Sequence, residues 1–213
     1  MTLPRVILAD DHTMVMEAFR KLLEPSYKVI DIVADGRALV RAALAQKPDL
    51  LLVDVGMPLL NGLEASRQLK EKNQSIKIIF LTMNDDPDIA EEAMRTGAFG
   101  FLLKTSAPSE LLHAIQEALK GRRYVTPLIA RAMEEAFIRH PGPKRKDKVP
   151  TPRQYEVIQL LAEGKAMKEA ADILNITERT VAFHKYRAME ELGLRTSADL
   201  IQYAVKNRIV MVA

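Results

Sequence analysis

The chain contains no cysteine, so neither a disulfide framework nor a thiolate metal site can exist in it. Its four histidines are scattered rather than paired at zinc-like spacing, so any metal would have to be held by oxygen. No apolar run approaches the roughly 18 residues that a membrane span needs. The opening stretch, MTLPRVILADD, meets acidic residues too soon for a secretory signal. A cytoplasmic protein without a membrane partner is the expectation. What the chain does have is apolar residues, 48% of 213, which excludes disorder throughout and suffices for one large or two small cores. Charge of one sign is also scarce, with a formal net of +3, but it is unevenly placed. Residues 1–124 hold 16 basic and 17 acidic side chains, and 125–213 hold 15 and 11. A mildly acidic first part and a basic second part point to partners of different charge, nucleic acid being the better fit for the second.

In the first part, the β-rich runs RVILA, YKVIDIVA, DLLLVDV, IKIIFLT and FGFLLK alternate with stretches of helical apolar spacing. Five strands too apolar for one-sided burial predict an α/β fold: a doubly wound parallel sheet, order 2-1-3-4-5, with helices on both faces. The last of these helices runs from about Pro108 to Lys120, and a further amphipathic segment covers about Thr126 to Ile138. Then comes RHPGPKRKDKVPTP, where prolines and clustered charges leave nothing to bury. It reads as a solvated linker, with phosphate contact from Lys144, Arg145, Lys146 and Lys148 as the alternative. Four short helical patterns follow, at about 152–163, 167–174, 178–191 and 197–207. The expected organisation is a first domain over 1–124, a linker helix and basic linker over 125–150, and a small all-α four-helix domain over 151–213.

An isolated carboxylate, Asp54, interrupts the apolar run LLVDVGMP, where burial of an unpaired charge would be costly. The predicted topology supplies a reason. Asp10 and Asp11 follow the first strand and Asp54 ends the third, and those strands flank the switch point at which such sheets bind ligands. Three converging acids call for a cation, and an all-oxygen set suits Mg²⁺, with the Gly56 carbonyl as a further ligand. Strand four ends in Thr82 and strand five leads into Lys104, adding a hydroxyl and an ammonium suited to a phosphoryl group. Asp54, alone on its strand, is the expected nucleophile for an acyl phosphate. Any single strand-end acid is equally well explained as a helix cap; the ordered set of five is not. A phosphohydrolase would want a second acid two residues beyond the nucleophile, where Gly56 stands, so an enzyme is not expected.

The segments ILADDH, LLVDVGMPLLNG, IIFLTM and GAFGFLLK resemble the receiver domain of two-component response regulators. That resemblance covers roughly 1–124. It implies Asp54 as phosphoacceptor, Asp10 and Asp11 as Mg²⁺ ligands, Thr82 and Lys104 as phosphoryl-binding residues, Phe101 as a switch aromatic alongside Thr82, and a sensor histidine kinase as partner. The alternative for Phe101 is a permanent core aromatic.

In the second part, LNITERTV reads as a helix end, a turn and a new helix with Thr177 as N-cap, so that about Glu178 to Glu191 would enter a major groove. Val181, His184, Ala188 and Leu192 should face the small core. Arg179, Ala182, Phe183, Tyr186 and Glu190 form the opposite stripe, flanked by Lys185 and Arg187. Residues 151–213 resemble the LuxR-type helix-turn-helix, and the whole chain resembles the NarL/FixJ group of response regulators. The implied function is a transcription factor: phosphorylation of Asp54 controls dimerisation and sequence-specific binding of double-stranded DNA. The expected DNA-facing residues are Lys168, Arg179, Ala182, Phe183, Lys185, Tyr186 and Arg187; Leu200, Ile201, Ala204 and Val205 read either as packing within the domain or as a surface for pairing on DNA. Two positions depart from the family, Ala182 for a usual lysine and Ala166 for a usual Ser or Thr cap. The alternative is a phosphorylation-independent regulator whose helical domain binds protein.

Overall fold

A computed structural model of the chain describes residues 2–139 and 149–210. The basic cluster Lys144, Arg145, Lys146 and Lys148 lies outside the described residues. The described residues form two units, one built on a parallel sheet and one of helices.

In the first unit, strands and helices alternate as β1 (Arg5–Ala9), α1 (Thr13–Leu23), β2 (Lys28–Val33), α2 (Gly36–Gln46), β3 (Leu50–Asp54), α3 (Gly62–Lys72), β4 (Lys77–Thr82), α4 (Pro87–Arg95), β5 (Gly100–Leu103) and α5 (Pro108–Leu119). Then come a short strand, β6 (Tyr124–Val125), and α6 (Pro127–Arg139). The sheet order is β2-β1-β3-β4-β5-β6, all parallel. The expected order 2-1-3-4-5 is present, but the sheet has six strands rather than five. Tyr124 N–H donates to the Phe99 carbonyl and Thr126 N–H to that of Phe101, so the chain leaving α5 pairs along β5 before entering α6. Two residues are too few for any alternation to show in the sequence.

Burial on both faces explains the near-continuous apolar strands. Val6, Leu8, Leu50, Leu52, Ile79, Leu81 and Leu102 meet Met16 and Leu23 of α1 and Leu111, Ile115 and Ala118 of α5. The alternate residues Ile7, Leu51, Val53, Ile78, Phe80 and Phe101 are fully buried too, pointing to the opposite face. Side-chain caps fix where the helices begin: Asp35 accepts from Ala38 N–H, Asn61 from Glu64 N–H and Asp86 from Asp88 N–H.

The second unit contains α7 (Pro152–Ala162), α8 (Met167–Leu174), α9 (Glu178–Leu192) and α10 (Ser197–Lys206). Its small core is shared along α7. Tyr155 and Ile158 pack with Ala188, Met189, Leu200 and Ala204, while Val157 and Leu160 pack with Ala170, Leu174 and Val181. Leu200 and Ala204 are therefore core residues rather than part of a pairing surface, and of the four residues expected there only Ile201 and Val205 are exposed. A reciprocal cap between Thr151 and Gln154 starts α7. α8 ends at Asn175 in the left-handed region, φ 52°, and Thr177 caps α9 by accepting from Thr180 N–H, which makes the turn between the two helices only a few residues long. The N-cap position of α8 is Ala166, which has no side-chain oxygen to offer; Glu169 reaches back to accept from the Ala166 N–H, at 2.7 Å.

Candidate functional site

The pairing register brings the strand ends to one edge. Ala9 lies opposite Val53, Asp54 opposite Leu81, and Thr82 opposite Leu103, so Asp10, Asp54, Thr82 and Lys104 emerge together. Asp10, Asp54 and Thr82 are buried, at 2%, 5% and 4% exposure, whereas Asp11 is exposed. The Lys104 ammonium lies between the two buried acids, 2.7 Å from Asp10 Oδ2 and 3.2 Å from Asp54 Oδ1. A buried ammonium and two buried carboxylates compensate one another where any one alone would be costly. Burial pushes the Asp54 carboxyl above the ordinary range; the Lys104 charge opposes this, the Asp10 charge adds to it, and hydrogen bonds from Lys104 and the Gly56 backbone pull it back.

Asp10 Oδ2 is buried and, although close to Lys104, has no aligned hydrogen bond among the described residues. Ligand atoms of Asp10, Asp11, His12 and Asp54 lie within 4.8 Å of one another. A buried carboxylate oxygen with spare lone pairs in a set dominated by oxygen fits a hard divalent cation such as Mg²⁺. At Gly56 the described interaction is made by the backbone toward Asp54.

Thr82 Oγ1 accepts from Asn84 N–H at 3.0 Å, and the Thr82 carbonyl accepts from Lys104 N–H at 2.7 Å, which ties the ends of β4 and β5 together. Phe101 is wholly buried between β4 and β6 in the sheet, the position of a core aromatic.

Two residues at this edge escaped the sequence reading. The His12 imidazole Nδ1 lies 2.9 Å from Asp10 Oδ1 and 3.0 Å from Asp11 Oδ1, and its backbone N–H donates to Asp10 Oδ1. Its place directly after the acidic pair was the available signal. At Gly62 a Cβ would stand 2.0 Å from the Asp54 carbonyl oxygen, and Gly62 N–H donates to the Val55 carbonyl. The start of α3 therefore rests against the backbone of the candidate phosphoacceptor, and only glycine permits that approach. No signal in a single sequence separates this glycine from an ordinary turn glycine.

On α9, Val181 and Ala188 are buried, and His184 and Leu192 are half-buried, as the inward face requires; Met189 joins them. Burial, helped by the Arg153 charge, lowers the His184 pKa and favours neutral imidazole. The opposite side presents Phe183 and Tyr186, 58% and 59% exposed, with Arg179 exposed and Ala182 half-buried; Lys168 on α8 is exposed as well. The two flanking cations are already engaged. Lys185 Nζ lies 2.8 Å from Ser197 Oγ and over the Tyr186 ring, and Arg187 Nε pairs with Glu191 at 2.9 Å.

Residues 6–116 match the family described as response regulator receiver domain, and residues 149–204 match bacterial regulatory proteins of the luxR family. The oxygen regulatory protein NreC of Staphylococcus haemolyticus is 31% identical, across 97% of this chain and 99% of its own length. The RcsB response regulator of Salmonella typhimurium, studied for conformational dynamism in DNA interaction, is 31% identical with a TM-score of 0.61, covering 95% of this chain and 98% of that one. A structure of two RcsB dimers bound to two parallel DNAs matches at 30% identity and a TM-score of 0.59, with the same coverage.

Proposed function

The chain belongs to the response regulators of the NarL/FixJ type, and on that premise we propose that a sensor histidine kinase phosphorylates Asp54 and thereby controls dimerisation and the binding of double-stranded DNA. The observation that carries the reading is the Lys104 ammonium set between buried Asp10 and Asp54 at the carboxyl edge of the sheet. An Asp54 carboxylate oxygen forms the new bond to phosphorus as the bond from phosphorus to the donor's leaving atom breaks. Lys104 offsets the charge on the phosphoryl oxygens, and the Thr82 hydroxyl turns from its contact with Asn84 to donate to one of them. Held by Asp10, Asp11 and Asp54 with the Gly56 carbonyl, Mg²⁺ would supply further compensation of phosphoryl charge. Thr82 and Phe101 are the residues through which occupancy of the site is passed along β4 and β5.

In the helical unit, Lys168, Arg179, Lys185 and Arg187 serve as phosphate contacts, the last two after leaving Ser197 and Glu191. Ala182, Phe183 and Tyr186 face the groove floor, where apolar groups meet thymine methyls. The test is selection of bound fragments from the source genome by the full chain, with and without a small phosphodonor and Mg²⁺. A recovered site should bind more tightly after phosphodonor treatment of the wild type and not of Asp54→Asn. Failure to select any DNA in either state would move the reading to a regulator that binds protein through the exposed Phe183 and Tyr186 face.

A further inference from the structure

α6 is amphipathic in two directions. Ile129 is buried and Ala132, Met133 and Ala136 are half-buried on the side that packs against α4. A second stripe, Leu128, Arg131, Glu135 and Ile138, runs along the exposed side at spacings of three, four and three, the repeat of a helix-pairing seam. Leu128 is 60% and Ile138 68% exposed, and the side chains of Arg131 and Glu135 are 80% and 54% exposed. Leu128 and Ile138 thus stand one at each end of the stripe, with the two charged side chains between them.

About the level of residue 133 the stripe is complementary to its own reversal: apolar, basic, acidic, apolar in one direction meets apolar, acidic, basic, apolar in the other. Set antiparallel to a copy of itself about a two-fold axis, it brings Leu128 against Ile138 of the second copy, and Arg131 against its Glu135, twice over. Such self-complementarity is what an isologous contact demands, and an unrelated partner gives no reason for it. We propose that the exposed face of α6 is a homodimer contact, in which this stripe pairs antiparallel with the same stripe of a second copy. This rests on the dimerisation reading above and names a surface for it. The stripe is only about 15 Å long at 1.5 Å per residue. It therefore acts as one contact within a larger association, setting its register through charge.

The experiment is sedimentation of the full chain, with phosphodonor and Mg²⁺, for wild type, Arg131→Glu, Glu135→Arg, the double exchange, and an equimolar mixture of the two single variants. Each single variant places like charges opposite one another at both sites, and its self-association should weaken roughly tenfold or more. The double exchange should recover. The mixture should recover too, because a chain carrying Arg131→Glu pairs with one carrying Glu135→Arg through two opposite-charge contacts. That arm separates the proposal from a local effect: the Arg131–Glu135 ion pair within the helix, at 3.0 Å, stays broken in both mixed chains. Single variants that associate like wild type, or a mixture as weak as its components, would overturn the assignment while leaving dimerisation itself intact. A wild type monomeric in every state would overturn both.

Discussion

Gly62 shows how tightly the candidate site is fastened to the fold. A methyl group there would sit 2.0 Å from the Asp54 carbonyl oxygen and 2.9 Å from a Val53 methyl, so the backbone of β3 or the start of α3 must move. Overpacking of this kind costs about 1–3 kcal/mol, and here the displaced atoms belong to the proposed nucleophile. Gly62→Ala should therefore lower both the unfolding midpoint in urea and the rate at which a small phosphodonor labels the protein, by about tenfold or more if Asp54 shifts by as little as 1 Å. Labelling at the wild-type rate in a destabilised variant would show that the backbone yields elsewhere. The same edge holds the lesson of Asp54. A lone carboxylate in an apolar run was visible in the sequence because burial of charge is so costly that it needs a reason. Strand order also placed Lys104, 50 residues away in the chain, at the same edge, although not its direct contact with the carboxylates.

Helix ends and faces carry the next level of the account. α8 begins at Ala166, with Glu169 making only its half of a capping box. Ala166→Ser should supply the missing acceptor to the first turn and stabilise the helical unit by about 1 kcal/mol, read as a rise in its thermal midpoint. No rise would mean that the chain before α8 cannot turn a side chain onto the free N–H groups. Phe183 on α9 and Lys168 on α8 have been given different work and should fail differently. Lys168→Ala should weaken every site alike and reduce the salt slope by about 1, whereas Phe183→Ala should change the ranking among single-base variants of a selected site. Equal losses across all variants for Phe183→Ala would contradict a base-facing role. Long, strongly patterned elements such as β3 and α9 were legible because burial repeats along them. β6 was not, since it is two residues long and exists only through its pairing with β5. The Lys185 to Ser197 contact was equally invisible, because it joins one helix to the start of the next, 12 residues on.

Taken as a whole molecule, the chain joins two chemistries that its charge distribution already separates: a first part with a small acidic excess and a second with a clear basic one. The acidic cluster is built from strand ends, the exposed face of α9 from one side of a helix, and each was legible because its residues had no role in a core. What the sequence could not show was the state of two cations that serve those sites, with Lys104 locked between carboxylates and Lys185 held by Ser197 of the next helix. Such contacts depend on tertiary placement rather than on pattern. Both sites are coupled only if Asp54 is the residue that takes the phosphoryl group. Intact-mass measurement of the full chain after treatment with a small acyl phosphate tests this most directly. A single phosphoryl adduct should form on the wild type with Mg²⁺, and none should form after chelation or on Asp54→Asn. An adduct on Asp54→Asn equal to that on the wild type would contradict the central claim.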